Sequence, residues 1–344
     1  MKKKLLSVLM AAVMVAGVGG VGAAQVKADD EKILGAGIYS ASDNFNSYIG
    51  KAITNACDGI FKTNIEDGQN DQSTQNNQVD TMLAKGASAV AVSVCDVTAA
   101  PTLIQKCKDA GNVPIIFFNK EITDYDVINS YENAYQVTST GGDYGASIQA
   151  QMVIDYWKEH PEMDKNGDGK LQLVYLMGDP GHTASQPRCD YLKSTIEDAG
   201  IEIDLLAEDT GMWVTATAKE KMDAWVSKYG DEIECCVAGN DAMALGALSA
   251  VEAAGFNTDG EESSKYIPIY GIDALPEILS KIESGEITGS VLQDAKTQGQ
   301  TIVKMAENLT SGKDAVDGIE GVETKKKQKL YEFHIRQSPK IILI

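Results

Sequence analysis

ASAVAVSV at 87–94, AAPTLIQKCKDA at 99–110 and VPIIFF at 113–118 decide the fold. The outer two runs are short, apolar and rich in β-branched or aromatic residues, as buried strands are. The middle run carries Leu103, Ile104 and Cys107 at helical spacing, with Lys106 and Lys108 between them. Strand, helix and strand at this spacing form a βαβ unit, whose two strands run parallel. Working outward, the pattern predicts a strand over 32–39 and a helix over 46–58. It restarts downstream, with strands over 171–177, 201–207, 234–238 and 267–272. Helices over 187–199, 216–229, 242–254 and 275–284 alternate with these strands. The reading is an α/β fold of two doubly wound parallel-sheet lobes. No repeat of fixed period interrupts it.

The chain has 344 residues, about two domains' worth. Apolar residues make up 43% and charged residues 23%, which is globular composition. Asp and Glu outnumber Lys and Arg by 50 to 30, for a net charge of −20. That charge argues against nucleic acid or an anionic membrane as the main partner. Arg occurs only at 188 and 336, so each is read as placed for its planar donor fork.

Lys2, Lys3 and Lys4 precede an apolar, small-residue run over 5–21, and Val26-Lys27-Ala28 offers a cleavage site. Residues 1–28 therefore read as a secretory signal peptide. The chain is expected to be exported, to a periplasm or a cell surface. The first of six cysteines is Cys57, so no lipobox Cys stands near the signal. No CxxC pair occurs, and Cys235-Cys236 are adjacent within a strand-like run. Buried free thiols are expected. No phosphate loop, HExxH or GxSxG is present, and His is rare, which lowers the standing of an enzyme.

Asp164-Lys165-Asn166-Gly167-Asp168-Gly169-Lys170-Leu171-Gln172 has the spacing of a calcium loop. Asp164, Asn166, Asp168 and Gln172 stand at relative positions 1, 3, 5 and 9, and Lys170 at 7 offers its carbonyl. Gly169 at position 6 permits the turn. Position 12 is Tyr175, so a completing carboxylate has to come from elsewhere, and the loop runs into a strand. The alternative is an Asx-rich turn with no ion.

Polar and aromatic residues recur where strands give way to helices: Asp43, Phe45, Asn119, His182, Arg188, Trp213, Asn240 and Asp273. In an open parallel sheet those ends line the ligand crevice. Carboxylates, amides, one guanidinium, one imidazole and two aromatic rings suit a neutral polyhydroxylated ligand, whose hydroxyls both donate and accept. Singly, an Asp or Asn at such a place is more often a cap or a turn.

Gly68-Gln69-Asn70-Asp71-Gln72-Ser73, Phe117-Phe118-Asn119-Lys120-Glu121, the 164–172 loop, Pro180-Gly181-His182, Lys221-Met222-Asp223-Ala224-Trp225, Asn240-Asp241-Ala242-Met243-Ala244 and Gly271-Ile272-Asp273-Ala274-Leu275-Pro276 occur in order. In these runs, over about residues 32–318, the chain resembles the galactose/glucose-binding receptors of sugar ABC transporters, of periplasmic binding protein type I. The resemblance implies two lobes joined by three crossing segments, near 137–140, near Gln293 and after about Gly318. It implies an N-terminal lobe of 29–138 plus 294–318, a C-terminal lobe of 139–293, and a hinge return with a divergent tail over 319–344. It implies that Phe45 and Trp213 sandwich a pyranose while Asp43, Asn119, His182, Arg188, Asn240 and Asp273 bond its hydroxyls. It implies that Glu234 completes a Ca2+ site.

Two positions depart from the pattern. Ala184 stands where the family has Asp, and Gln293 where it has Asn. The expected partners are a monosaccharide and the membrane subunits of an ABC permease, with the receptor a monomer. A chemoreceptor or sensor partner, and a different pyranose, stay open. A hydrolase using Asp43 and Asp273 is disfavoured, because each acid is better explained as a hydroxyl acceptor. A cytosolic repressor is disfavoured because the signal peptide stands where a DNA-binding headpiece would.

Overall fold

In a computed structural model, the described residues are 32–138, 142–261, 263–320, 323–325 and 330–332. The expected signal peptide and most of the tail lie outside them.

The first lobe is built on strands β1 (Ile33–Ile38), β2 (Lys62–Asp67), β3 (Ala89–Val92), β4 (Ile115–Phe118) and β5 (Ala134–Thr138). They run parallel in the order β5-β4-β3-β1-β2. Helices α1 (Asn44–Ala56), α2 (Gln72–Ala84), α3 (Ala100–Asp109) and α4 (Tyr125–Asn129) connect them. Every residue of β3 and β4 is buried, as the apolar run requires of a strand covered on both faces. Ile116 and Phe118 join the cluster under α1, whereas Ile115 and Phe117 join the cluster under α3. Alternate side chains of one strand thus serve both layers.

Past β5 the chain enters a second lobe. Its strands are β6 (Lys170–Met177), β7 (Glu202–Thr210), β8 (Cys235–Ala238), β9 (Ile269–Asp273) and β10 (Gly289–Leu292). Their order is β10-β9-β8-β6-β7, again all parallel. Helices α5 (Gly142–Glu159), α6 (Ser185–Asp198), α7 (Thr215–Tyr229), α8 (Asp241–Ala253) and α9 (Pro276–Glu283) cover it. Helix α10 (Ala295–Thr310) then returns to the first lobe, where Ile302, Val303, Met305 and Ala306 pack with Ile49 and Ile53 of α1.

Several elements are absent from the sequence reading. Strand β2 is a polar edge strand, and α2 buries only Gln75, Val79 and Met82. Helix α1 begins at Asn44, two residues earlier than its periodicity suggests, because Asp43 caps it. The tail differs from a simple third crossing. Strands β11 (Glu323–Lys325) and β12 (Leu330–Glu332) extend the first sheet, β12 parallel to β5 and β11 antiparallel to β12. A crossing back to the second lobe is not seen among the described residues.

All six cysteines are free. Burial pushes the thiols up, to about 11 for Cys57 and about 12 for Cys107 and Cys236. Among the described residues no helix is long and apolar enough to cross a membrane.

Candidate functional site

Parallel strands leave all their carboxyl ends on one side, and both sheets present that side to the same cavity. The cavity is walled by Asp43, Phe45, Asn119, His182, Arg188, Trp213, Asn240, Asp273 and Gln293. All nine residues that the sequence singled out for ligand binding meet there. The first lobe supplies Asp43 and Phe45 after β1 and Asn119 after β4. The second supplies His182 and Arg188 after β6, Trp213 after β7, Asn240 after β8 and Asp273 at the end of β9. Gln293 lies where the chain leaves β10 for α10.

Each side chain is fixed by local structure. Asp43 caps α1 by accepting from Asn46 N at 2.9 Å, and its other oxygen accepts from the Tyr39 hydroxyl. Asn240 caps α8, its Oδ1 accepting from Met243 N at 2.9 Å. Asn119 (φ 65°), Trp213 (φ 62°) and Asp273 (φ 137°) adopt left-handed backbone that non-glycine residues avoid. Such strain persists where the surrounding structure over-determines it, typically at sites. The Trp213 indole lies against Gly178, where a Cβ would come within 2.0 Å of the ring. His182 meets that ring edge-on at 5.4 Å, and the Arg188 guanidinium lies 5.5 Å over it.

The charges are buried and opposed. Burial raises the Asp43 carboxyl, with the Tyr39 hydrogen bond acting against it. Burial, reinforced by Asp241, raises Asp273 well above the carboxylate range. Burial, with Lys120 and Arg188 nearby, holds His182 well below its ordinary value. The imidazole is therefore neutral. Its Nδ1 accepts from Ala184 N at 3.1 Å, which leaves Nε2–H as the donor.

Three buried polar atoms of the walls have no protein partner: Arg188 Nε, Trp213 Nε1 and Asp273 Oδ2. Two are N–H donors and the third is a carboxyl oxygen. A buried polar group without a partner costs about 1–3 kcal/mol, and in a cavity wall a water or a ligand group can supply that partner. Arg188 is meanwhile anchored by a 2.6 Å bond to Gly239 O, and Gln293 Nε2 donates to Asp273 Oδ1 at 2.6 Å. The lobes touch beside the cavity: Glu121 N donates to Thr183 Oγ1 at 3.2 Å, and Tyr48 Oη to Glu277 Oε1 at 2.9 Å. The cavity thus lies between two lobes that each contribute capped strand ends to it.

Comparison with known proteins agrees. The periplasmic binding protein domain model matches residues 36–314. The chain belongs to the periplasmic binding protein family. It is 42% identical over 288 residues to the D-galactose/methyl-galactoside binding periplasmic protein MglB of Haemophilus influenzae, covering 83% of each chain. It is 27% identical over 289 residues to a xylitol-binding protein of Mycolicibacterium smegmatis, covering 83% of this chain and 74% of that one. Among solved structures, an ABC transporter solute binding protein from Bacillus halodurans with bound myo-inositol superposes with a TM-score of 0.69 at 28% identity, covering 83% of this chain and 90% of that one.

Two of this periplasmic binding protein's site neighbours were not assigned a role from sequence. Lys120, 1% exposed, donates to Cys95 O at 2.9 Å and lies 4.1 Å over the Tyr39 ring. Asp241 lies wholly buried behind Asp273. Their only sequence signal is adjacency to Asn119 and Asn240. Ala184, at the start of α6, gives that helix no side-chain cap.

The 164–172 loop folds on itself in this family member. Asp164 Oδ1 accepts from Gly167 N at 2.8 Å and Asp168 N at 3.1 Å, and its Oδ2 from Gly169 N at 3.0 Å. Asp168 Oδ2 accepts from Asn166 Nδ2 at 3.1 Å and Gln172 Nε2 at 3.0 Å. Glu234 reaches the loop, accepting from Lys165 N at 2.7 Å and Gln172 N at 3.0 Å. Among the described residues no three His, Cys, Asp or Glu side chains converge as a metal cluster. The donor set instead mixes carboxylate, amide and carbonyl oxygens, as hard cations accept. Gln172 Oε1 is buried with no partner. An oxygen-seeking cation fits that set.

Proposed function

We propose that the chain is an exported receptor that captures a monosaccharide, galactose or glucose first, between its lobes and delivers it to the membrane subunits of an ABC permease. The observation that carries this reading is the set of unpartnered atoms Arg188 Nε, Trp213 Nε1 and Asp273 Oδ2 in an interlobe cavity. A polyhydroxylated ring supplies acceptors to the two N–H groups and, because each hydroxyl both donates and accepts, a partner to the Asp273 carboxyl. Phe45 and Trp213 supply apolar faces. MglB of Haemophilus influenzae, by its name a D-galactose/methyl-galactoside binder, supports the hexose. Contacts from both lobes favour the closed state, so capture and closure are one event.

The protein acts by binding, not by turning over its ligand, and works as a monomer. Ca2+ bound by Asp164, Asn166, Asp168, Gln172, Glu234 and the Lys170 carbonyl would tie the loop to β6 and β8 and add stability by linkage. The orphaned Gln172 Oε1 supports this. A chemoreceptor or sensor could read the same closed form.

A second reading concerns the sugar. Ala184 brings no acceptor, so one side of the ligand loses a charge-assisted hydrogen bond, worth about 1.5–3 kcal/mol. A pyranose other than galactose or glucose would then lead. Calorimetry of the calcium-replete protein against a pentose and hexose panel tests both. Micromolar or tighter galactose or glucose binding supports the first reading, and a hit elsewhere supports the second. Silence across the panel overturns both.

A further inference from the structure

The turn between β9 and α9 does two things at once. Asp273 walls the cavity, whereas Leu275, two residues on, packs into the apolar cluster of the opposite lobe with Phe45 and Ile38. Glu277 of the same segment accepts from Tyr48 across the lobes. The turn is also strained, since Asp273 (φ 137°) and Ala274 (φ 52°) both lie in left-handed backbone without being glycine.

What holds the strained turn is a buried side-chain pair. Asp241 Oδ2 accepts from Leu275 N at 2.8 Å, and its Oδ1 accepts from Ser290 Oγ at 2.5 Å. Ser290 Oγ in turn accepts from Ala274 N at 3.1 Å. Both side chains are at most 1% exposed. Gly271 leaves the room for this, because a Cβ there would lie 2.2 Å from Asp241 Oδ1. A buried carboxylate costs several kcal/mol to desolvate and is kept only where it is well bonded. Here both of its oxygens serve one turn.

We propose that Asp241, with Ser290, is a positioning pair that pins the 273–275 turn, so that the acid facing the ligand and the apolar residue facing the other lobe move as one piece. Ligand contact at Asp273 and lobe contact at Leu275 are then mechanically joined, and loosening the pin weakens capture without removing any group that touches the ligand. The effect on capture rests on the monosaccharide reading above; the pinning does not.

The test uses Asp241→Asn, which keeps the shape but replaces one of the two accepting oxygens with an NH2 group. Ser290→Ala removes the bridge to Ala274 and serves if the first variant does not fold. Asn257→Ala is the control: it breaks buried bonds to Ile267 and Glu286 elsewhere in the same lobe. Amide exchange over 273–277 without sugar, and calorimetry with galactose, are the readouts. The expected result is exchange accelerated about tenfold or more at Ala274 and Leu275, with galactose affinity lowered about tenfold. The control should lower the melting temperature and leave both readouts unchanged. Unaltered exchange in both variants overturns the proposal, as does unaltered affinity with accelerated exchange. If the wild type binds no galactose, the ligand reading fails, and the exchange result still decides the pinning.

Discussion

The Tyr39 hydroxyl donates to Asp43, the carboxylate that also caps helix α1. One oxygen of Asp43 thus orients the helix while the other is held by a phenol backed by Lys120. Removing the hydroxyl should free that oxygen to rotate. Tyr39→Phe is expected to weaken galactose binding about three- to tenfold, from the loss of one hydrogen bond of about 0.5–1.5 kcal/mol. The melting temperature should hardly move, because the cap stays. Calorimetry decides it, and equal affinity would mean that the cap alone orients Asp43.

Trp213 depends on Gly178 for its seat. A methyl group at 178 would overlap the indole, with a Cβ-to-ring distance of 2.0 Å. Gly178→Ala should therefore displace the ring and reduce sugar affinity about tenfold or more, as Trp213→Ala should. The rest of the second-lobe core should remain, judged by far-ultraviolet circular dichroism. Full affinity in either variant would remove Trp213 from the ligand contacts.

Glu234 tests the cation. Chelation should lower the melting temperature of the wild type, by the linkage between binding and folding. Glu234→Gln should lower it without chelator and make chelator ineffective. If neither changes the wild-type transition, the loop is an Asx turn closed by its own amides.

Asp241 gives the stability a pH dependence. Burial pushes its carboxyl up to about 7 from the ordinary carboxylate range. The folded state then binds a proton that the unfolded state, with a pKa of about 3.9, has released. Stability from this group is complete below about pH 4 and is lost as pH rises through about 7. The unliganded protein is expected to melt at a lower temperature at pH 8 than at pH 5, and Asp241→Asn should reduce the difference without abolishing it, because the neighbouring Asp273 is raised as well. A wild-type profile that rises over this range would contradict the assignment.

The parallel lobes were legible because β3, β4 and β8 are continuous apolar runs and β6 and β9 carry apolar runs over most of their length. Strand β2 was not, since its residues alternate along an exposed edge and include Lys62, Asn64 and Glu66. Helix α5 was partly hidden by its own packing: the first half of its buried face is Gly145, Ala146, Gln149 and Ala150, small or polar residues that carry little periodic signal, and the large apolar residues Met152, Val153 and Ile154 come only after them. The cavity walls were legible for a geometric reason, since every parallel strand ends at the same crevice. The supports behind them were not. Lys120, Asp241 and Ser290 act through partners far along the chain, and only packing brings them together, whereas Tyr39 reaches Asp43 four residues on. Glu234 and Gln293 entered through resemblance alone.

The six free thiols carry a last consequence. Burial keeps them protonated, and a protonated thiol is a poor nucleophile. Nothing in the fold waits for an oxidant. A strong reductant is therefore expected to leave its refolding yield unchanged.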